Sequence, residues 1–240
     1  HIAGPHLRDL LARSSHGVPG AEESYGERVA QYYDVHPENP QPRTLNQMVQ
    51  ILGDDGLIAY PTDSCYALGC ALGNSSGIER IRRIRHLGDK HHFTLVVSEF
   101  AQLGAFVEMD NWVFRAVKAA TPGPYTFILK ATREVPKMMQ HPKKRTIGVR
   151  IPKHRTTLAL LDALGSPLVS STLLLPDHPE PLADGWTIKE LLDHEVDAIL
   201  DSGDCGLTPT TVVDLSGEEP EVVRIGAGDP APFQMISGRT

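Results

Sequence analysis

Tyr60-Pro61-Thr62-Asp63-Ser64-Cys65-Tyr66-Ala67-Leu68-Gly69 sits between two apolar runs, Leu57 to Ala59 and Ala67 to Leu72. Each run has the length of a short buried strand. Pro61 has no N–H to give a sheet ladder, so the first strand stops there and leaves Thr62, Asp63 and Ser64 at its carboxyl end. In open α/β sheets that end is where ligands bind. An Asx-type turn, whose side chains satisfy their own backbone, explains the same residues taken alone.

The neighbouring segments frame this hairpin. Upstream, Pro42 suits the first turn of a helix whose apolar face is Leu45, Met48, Val49 and Leu52 and which Gly53 ends. Downstream, Ser76 to Glu79 has capping-box spacing, and Ile78, Ile81 and Ile84 form a narrow stripe among the arginines at 80, 82, 83 and 85. Further strands are expected at Thr94 to Val97, Tyr125 to Lys130, Thr146 to Ile151, Leu168 to Ser171, Ala198 to Asp201, Thr211 to Leu215 and Glu221 to Ile225. Helical segments are expected at Glu99 to Phe106, at Asn111 to Ala119 with Asp110 as cap, at Thr156 to Leu164 before Gly165, and at Thr187 to Asp193. Several strands follow each other too closely for helical crossovers. The expected fold is therefore α/β (α+β): a twisted open sheet of mixed parallel and antiparallel strands with helices packed on it and a central cleft. Residues 1–40 read as a partly irregular N-terminal extension, 41–233 as one domain and 234–240 as a tail. Gly17 to Gly20 breaks any helix begun by Leu7 to Arg13, and residues 22–33 show no clear period.

Composition narrows the function classes. With 240 residues, 40% of them hydrophobic, the chain can bury a sizeable core. No apolar run is long enough for a membrane helix, and no basic–apolar–small leader pattern opens the chain, so a soluble, cytoplasmic protein is expected. Cys65, Cys70 and Cys205 form no CxxC, which fits a reducing compartment. A formal net charge of −7 argues against a protein basic all over while permitting a local basic patch.

No GxxxxGK[ST] or GxGxxG fingerprint is present. What recurs is a hydroxyl or guanidinium near a strand end: Thr62 and Ser64, Arg150, Ser170-Ser171-Thr172, Thr210-Thr211 and Arg224. Arginine pairs bidentately with carboxylate or phosphate, and hydroxyls add short contacts, so a cleft lined this way suits an anion. A structural ion pair explains any one arginine equally well, and the set less well. His86, His91 and His92 lack a further ligand at metal spacing, so no metal site is expected. No nucleophile–base arrangement or acid–base pair of carboxylates can be placed. The Arg-rich helix, with Lys143-Lys144-Arg145, is read first as solvated surface and second as a nucleic-acid face.

Six motifs in order give the chain a family resemblance: Tyr60-Pro-Thr-Asp-Ser-x-Tyr-x-Leu-Gly69, Pro122-Gly-Pro-x-Thr126-Phe, Ile147-Gly-Val-Arg150-Ile-Pro152, Pro167-Leu-Val-Ser-Ser171, Thr210-Thr-Val-Val-Asp214 and Arg224-x-Gly226. From about Asn46 to Pro232 the chain resembles the YrdC family of threonylcarbamoyl-adenylate synthases, most closely its YciO branch. That resemblance implies a reaction in which L-threonine, bicarbonate and ATP give threonylcarbamoyl-AMP and pyrophosphate, feeding a modification of tRNA. It implies ATP as substrate with Mg²⁺, and no tightly bound cofactor. By position, Ser64 would hold the amino acid and Arg150 its carboxylate. Thr146, Ser170, Thr172 and Arg224 would line the nucleotide, Arg85 would reach its phosphates, and Thr62 and Tyr66 would shape the turn. Removing Arg150 is expected to abolish ligand binding with the fold intact.

The chain departs from the synthase pattern at three places. The Lys-x-Arg pair followed by proline reads Arg85-His86-Leu87-Gly88, the Ser-x-Asn reads Thr172-Leu173-Leu174, and a histidine expected on the next strand is Val96. The YciO pattern shares these departures. They leave three readings: an enzyme that forms or turns over a carbamoyl-type adenylate, a related but altered activity, and a protein that binds double-stranded RNA or tRNA without synthase activity.

Overall fold

Two short strands cannot bury their faces alone, and the hairpin around the 60–69 stretch is built into a large sheet. The computed structural model describes residues 29–234. In chain order the elements are β1 Gln31–Asp34, α1 Pro42–Gly53, β2 Ile58–Tyr60, β3 Ala67–Ala71, α2 Ser75–Arg85, β4 Thr94–Val96, β5 Val107–Glu108, α3 Asn111–Ala120 and β6 Tyr125–Ala131. Then follow β7 Thr146–Arg150, α4 Arg155–Leu164, β8 Leu168–Thr172, α5 Gly185–Leu192, β9 Ala198–Asp201, β10 Thr211–Asp214, β11 Glu221–Arg224 and α6 Ala231–Gln234. Phe100–Ala105 and Lys137–Met139 are 3₁₀ turns. Among the described residues the sheet runs β1-β9-β2-β3-β8-β4-β7-β6-β10-β11, with β5 added beside β6. It is mixed, as expected: β1/β9, β2/β9, β4/β7 and β6/β10 pair in parallel, and β2/β3, β3/β8, β4/β8 and β6/β7 antiparallel.

Strand alternation sends successive side chains to opposite faces and so divides the core in two. Leu68, Leu95, Val149, Val169 and Phe127 point to one face, where α2 lays Ile78, Ile81 and Ile84 against them. On the other face, Ile58, Tyr60, Val96 and Leu168 meet Leu45, Met48 and Leu52 of α1 and Leu160 and Leu161 of α4. These two helices cover only the half of that face near β9, β2, β3 and β8. The half over β4, β7, β6 and β10 is left open, and the site lies there.

Local details differ from the sequence reading where a nearby side chain competes. The cap of α2 is Asn74, whose Oδ1 accepts from Gly77 N at 2.9 Å, and Ser76 donates to the same oxygen instead of capping. Asn74→Ala is expected to cost about 1 kcal/mol in urea denaturation, the usual worth of an N-cap. Asp110 stands at the N-cap of α3 without a side-chain cap bond. Asp184 caps α5 through Thr187 N, so that helix starts two residues before Thr187. β1 carries no apolar alternation and exists because Val35 and the backbone of 30–35 pair along β9. Readings placed on residues 1–28 and 235–240 lie outside the described residues.

Candidate functional site

The 60–69 turn satisfies itself and is then pinned from outside. Thr62 Oγ1 accepts from the backbone N–H groups of Ser64 and Cys65, both at 3.2 Å, and donates to Cys65 O. Arg150, at the end of β7, reaches into this turn. Its Nη1 donates to Ser64 Oγ at 3.0 Å and Thr62 Oγ1 at 3.4 Å, and its Nη2 pairs with the carboxylate of Asp63. The second oxygen of Asp63 accepts from Lys153 N at 2.9 Å. Thr157 of α4 donates to Pro61 O. Arg150 is 7% exposed, and burial lowers its guanidinium to about 10. Its Nε alone has no partner.

Beside this buried cluster the open half of the sheet forms a cleft of about 330 Å³. Thr94, Thr126, Ile128 and Val212 make its floor. Gly148 lies between them: a Cβ there would stand 2.9 Å from Thr94 Oγ1 and 3.0 Å from Thr126 Cγ2, so only glycine keeps these strands together. The floor is the middle of a sheet face and not a row of carboxyl ends, because a mixed sheet sends its carboxyl ends in both directions.

The walls are cationic. From the end of α2, Arg85 donates through Nε to Leu174 O at 3.1 Å and through Nη1 to Ser171 Oγ. Ser171 Oγ lies 3.0 Å from His91 Nε2. Since the serine oxygen accepts from Arg85, its own hydrogen is available to the imidazole. Burial, then the Arg85 charge, pushes His91 down to about 4, so the ring is a neutral acceptor at pH 7. Opposite, Arg224 donates through Nε and Nη2 to Thr210 O at 3.0 and 2.8 Å. Gly226 permits this approach, since a Cβ there would lie 2.2 Å from Pro209 O.

Among the described residues no carboxylate pairs with Arg85 or Arg224. Burial, followed by the Arg224 charge, lowers Arg85 to about 10, and burial lowers Arg224 as well. Two like charges, Arg85 partly buried and Arg224 exposed, facing one cavity without a counter-charge among the described residues make a field that an anion relieves. No carboxylate of the described residues lines the cleft, so none of them offers Mg²⁺ a charged ligand there.

The residues singled out from sequence fall into three groups. Arg85, Thr172 and Arg224 line the cleft. Thr62, Ser64 and Arg150 form the adjoining buried cluster, linked to the cleft by Cys65. Its thiol is pushed up by burial and drawn back by Ser64 Oγ and by the Arg224 and Arg85 charges. The Thr146 hydroxyl bonds His92 Nε2, another lining group, at 2.8 Å. Two residues point elsewhere. Tyr66 sends its hydroxyl to Asp201 Oδ1 and Gly203 O, and Ser170 donates to Leu68 O while touching the Tyr60 hydroxyl. The sequence reading named Thr210 among the strand-end hydroxyls but did not single out His91, His92, Thr94 or Thr126 as cleft residues, nor Ser171 over its neighbour Ser170. Only the alternation of Thr94 and Thr126 with buried Leu95 and Phe127 hinted at a shared face.

The departures from the synthase pattern also have places. Leu87 packs against the larger core cluster, Leu174 lines the cleft, and Val96 lies in the second cluster. Of the helix arginines, Arg80 pairs with Asp197 at 2.7 Å, Arg83 with Glu195 at 3.3 Å, and Arg82 lies over the Phe93 ring.

Comparison with known proteins agrees with this layout. The profile of the Sua5–YciO–YrdC family, described as "Telomere recombination", matches residues 50–226. YciO of Escherichia coli K12 is 46% identical over 205 residues, which is 85% of this chain and 100% of that protein. The threonylcarbamoyl-AMP synthase of Coxiella burnetii is 31% identical over 182 residues, covering 73% of this chain and 95% of the synthase. The crystal structure of E. coli YciO superposes with a TM-score of 0.83 over 85% of this chain. That of P. abyssi Sua5 complexed with L-threonine is 21% identical, covers 86% of this chain and 61% of Sua5, and superposes at 0.79. A sheet half covered by two helices, a hydroxyl-rich turn pinned by an arginine and a profile spanning most of the described residues all point the same way: the chain belongs to the Sua5/YciO/YrdC family.

Proposed function

We propose that the cleft binds a nucleotide, ATP or an adenylate, together with L-threonine, and that the protein forms or turns over threonylcarbamoyl-AMP. The observation that carries this reading is the pair of guanidinium groups, Arg85 and Arg224, that face one cavity with no carboxylate partner among the described residues. In this arrangement the phosphates lie between the two arginines, held also by Ser171 and Thr210, and Ile128, Val212 and Leu174 supply an apolar surface for the base. Ser64 and Cys65 at the motif turn border the place left for the amino acid, with Thr62 and Arg150 holding that turn. Arg150 acts by fixing the turn. Support comes also from relatives: one is named a threonylcarbamoyl-AMP synthase, and a structural neighbour is complexed with L-threonine.

Incubation with ATP, L-threonine and bicarbonate tests this, with the adenylate identified by mass and ATP binding followed by calorimetry. A threonine-dependent adenylate or its turnover is expected; failure to bind ATP, AMP or a preformed adenylate overturns the reading. The rate is set by the departures. Leu87→Arg with Leu174→Asn is expected to raise threonine-dependent pyrophosphate release by about a hundredfold, the usual scale of one preorganised charge partner. No gain over the parent chain would show that these positions do not limit the reaction.

The second reading, binding of double-stranded RNA or tRNA, rests on Lys143, Lys144 and Arg145, which are exposed. The pairing of Arg80 and Arg83 with Asp197 and Glu195 leaves the Arg-rich helix less charge for it.

A further inference from the structure

We propose that the connection between β6 and β7 holds a second anion site, separate from the cleft, for a small phosphate-bearing molecule. This connection runs over residues 132–145, far longer than the roughly two to five residues that usually join antiparallel neighbours, and such long connections are commonly functional. It is not loose. Val135 and Met139 are 1% and 0% exposed and anchor it in the larger core cluster. Thr132 N donates to Phe106 O at 2.8 Å, Gln140 Nε2 to Val135 O at 2.8 Å, and His141 N to Thr146 O at 2.8 Å.

The fastened loop encloses a concavity of about 430 Å³, with Arg133, Lys137 and Arg145 on its walls and Gln140 and His141 between them. No carboxylate of the described residues lines it; Glu134 is not among the lining residues. Among the described residues none of the three cations is in an ion pair. Arg145 holds a left-handed backbone, φ 54°, where a side chain is disfavoured. Its N–H and C=O are both fixed there, to His141 O and Ala131 N. On the inner side the His141 ring lies 4.9 Å from that of His92, which lines the cleft, so the two cavities stand back to back. Three uncompensated cations around a preformed concavity with an amide donor make a receptor for a compact, multiply charged anion, and phosphate groups meet that description.

Titration of the ¹⁵N-labelled full chain with inorganic pyrophosphate tests the assignment by NMR. The amides of Thr132, Gln140 and Arg145 are expected to shift along a saturable curve. In the triple variant Arg133→Ser, Lys137→Ser, Arg145→Gly that curve should weaken about tenfold or more, while shifts at Ser171 and Thr210 in the cleft stay as they were. Glycine suits the backbone of 145, and the other two side chains are exposed, so the variant is expected to fold. Loop amides that do not move, that move without saturating, or that saturate equally in the triple variant overturn the proposal. A parallel titration with a short RNA duplex separates the two sources of phosphate. If the duplex moves the loop amides and pyrophosphate does not displace it, the surface is a nucleic-acid face and the small-anion site is overturned.

Discussion

Arg150→Ala is expected to lose about 3–5 kcal/mol of stability, because it removes one partner of a buried ion pair and strands the other. The side chains of Arg150 and Asp63 are 8% and 11% exposed. Alanine would leave the Asp63 carboxylate with only Lys153 N, and would also strip Ser64 and Thr62 of their guanidinium contacts. At an ordinary denaturant slope of about 1–3 kcal/mol per molar urea, the midpoint should fall by one to several molar. This differs from the expectation drawn from sequence, where Arg150 was a ligand group whose loss spares the fold. The difference arises because a strand-end arginine looks the same on paper whether its partner is a substrate or the aspartate of a distant loop. The double variant Arg150→Met, Asp63→Leu should recover much of the loss, since it leaves no unpaired charge. A single variant within 1 kcal/mol of the parent, or a double variant no better than the single, would contradict this account.

The same contrast explains what could be read in the chain and what could not. Helix α1 is legible because Pro42 starts it, Leu45, Met48 and Leu52 make one face, and little else competes there. The hairpin was legible from Pro61 and its flanking apolar runs. Strand β1 was not, since Gln31 to Asp34 lies on the sheet edge and its ladder is set by the backbone of β9, hundreds of bonds away. The cleft was legible in kind but not in detail. Hydroxyls and arginines near strand ends suggested a polar, cationic cleft, yet Ser170 and Ser171 differ only in which face of β8 they occupy. Ser170 stands beside Thr94 on the floor's own face but is taken up by Leu68 O and the Tyr60 hydroxyl, whereas Ser171, on the α2 face, joins the cleft wall through Arg85 and His91. His86, His91 and His92 cluster in the sequence as metal ligands can, without a further ligand at metal spacing. The structure makes His91 and His92 hydrogen-bond groups, to Ser171 and Thr146, whose pKa values burial lowers.

Arg85 and Arg224 give the opposite pattern to Arg150, and that opposition is the sharpest test of where ligand binds. Arg85 is partly buried and Arg224 exposed, each is bonded to neutral oxygens, and the Arg224 charge bears on Arg85. A cation whose pKa is lowered in the folded state opposes folding while it stays charged, so removing it should not weaken the fold. Arg85→Met and Arg224→Met are therefore expected to melt at or above the parent temperature. Each should also bind ATP roughly tenfold to a hundredfold more weakly, the worth of a charged hydrogen bond to phosphate. In the absence of ATP a double-mutant cycle should show coupling of the sign expected for repulsion: most of the thermal gain comes with the first substitution and little with the second. With ATP bound, the phosphates turn the two charges into partners of one anion, and each substitution should now cost midpoint temperature. Scanning calorimetry with and without ATP reads both states in one set of proteins. If either variant melts well below the parent while ATP affinity holds, these arginines maintain the fold and the anion sits elsewhere. If the melting point holds and affinity collapses, the strain between them exists for the ligand.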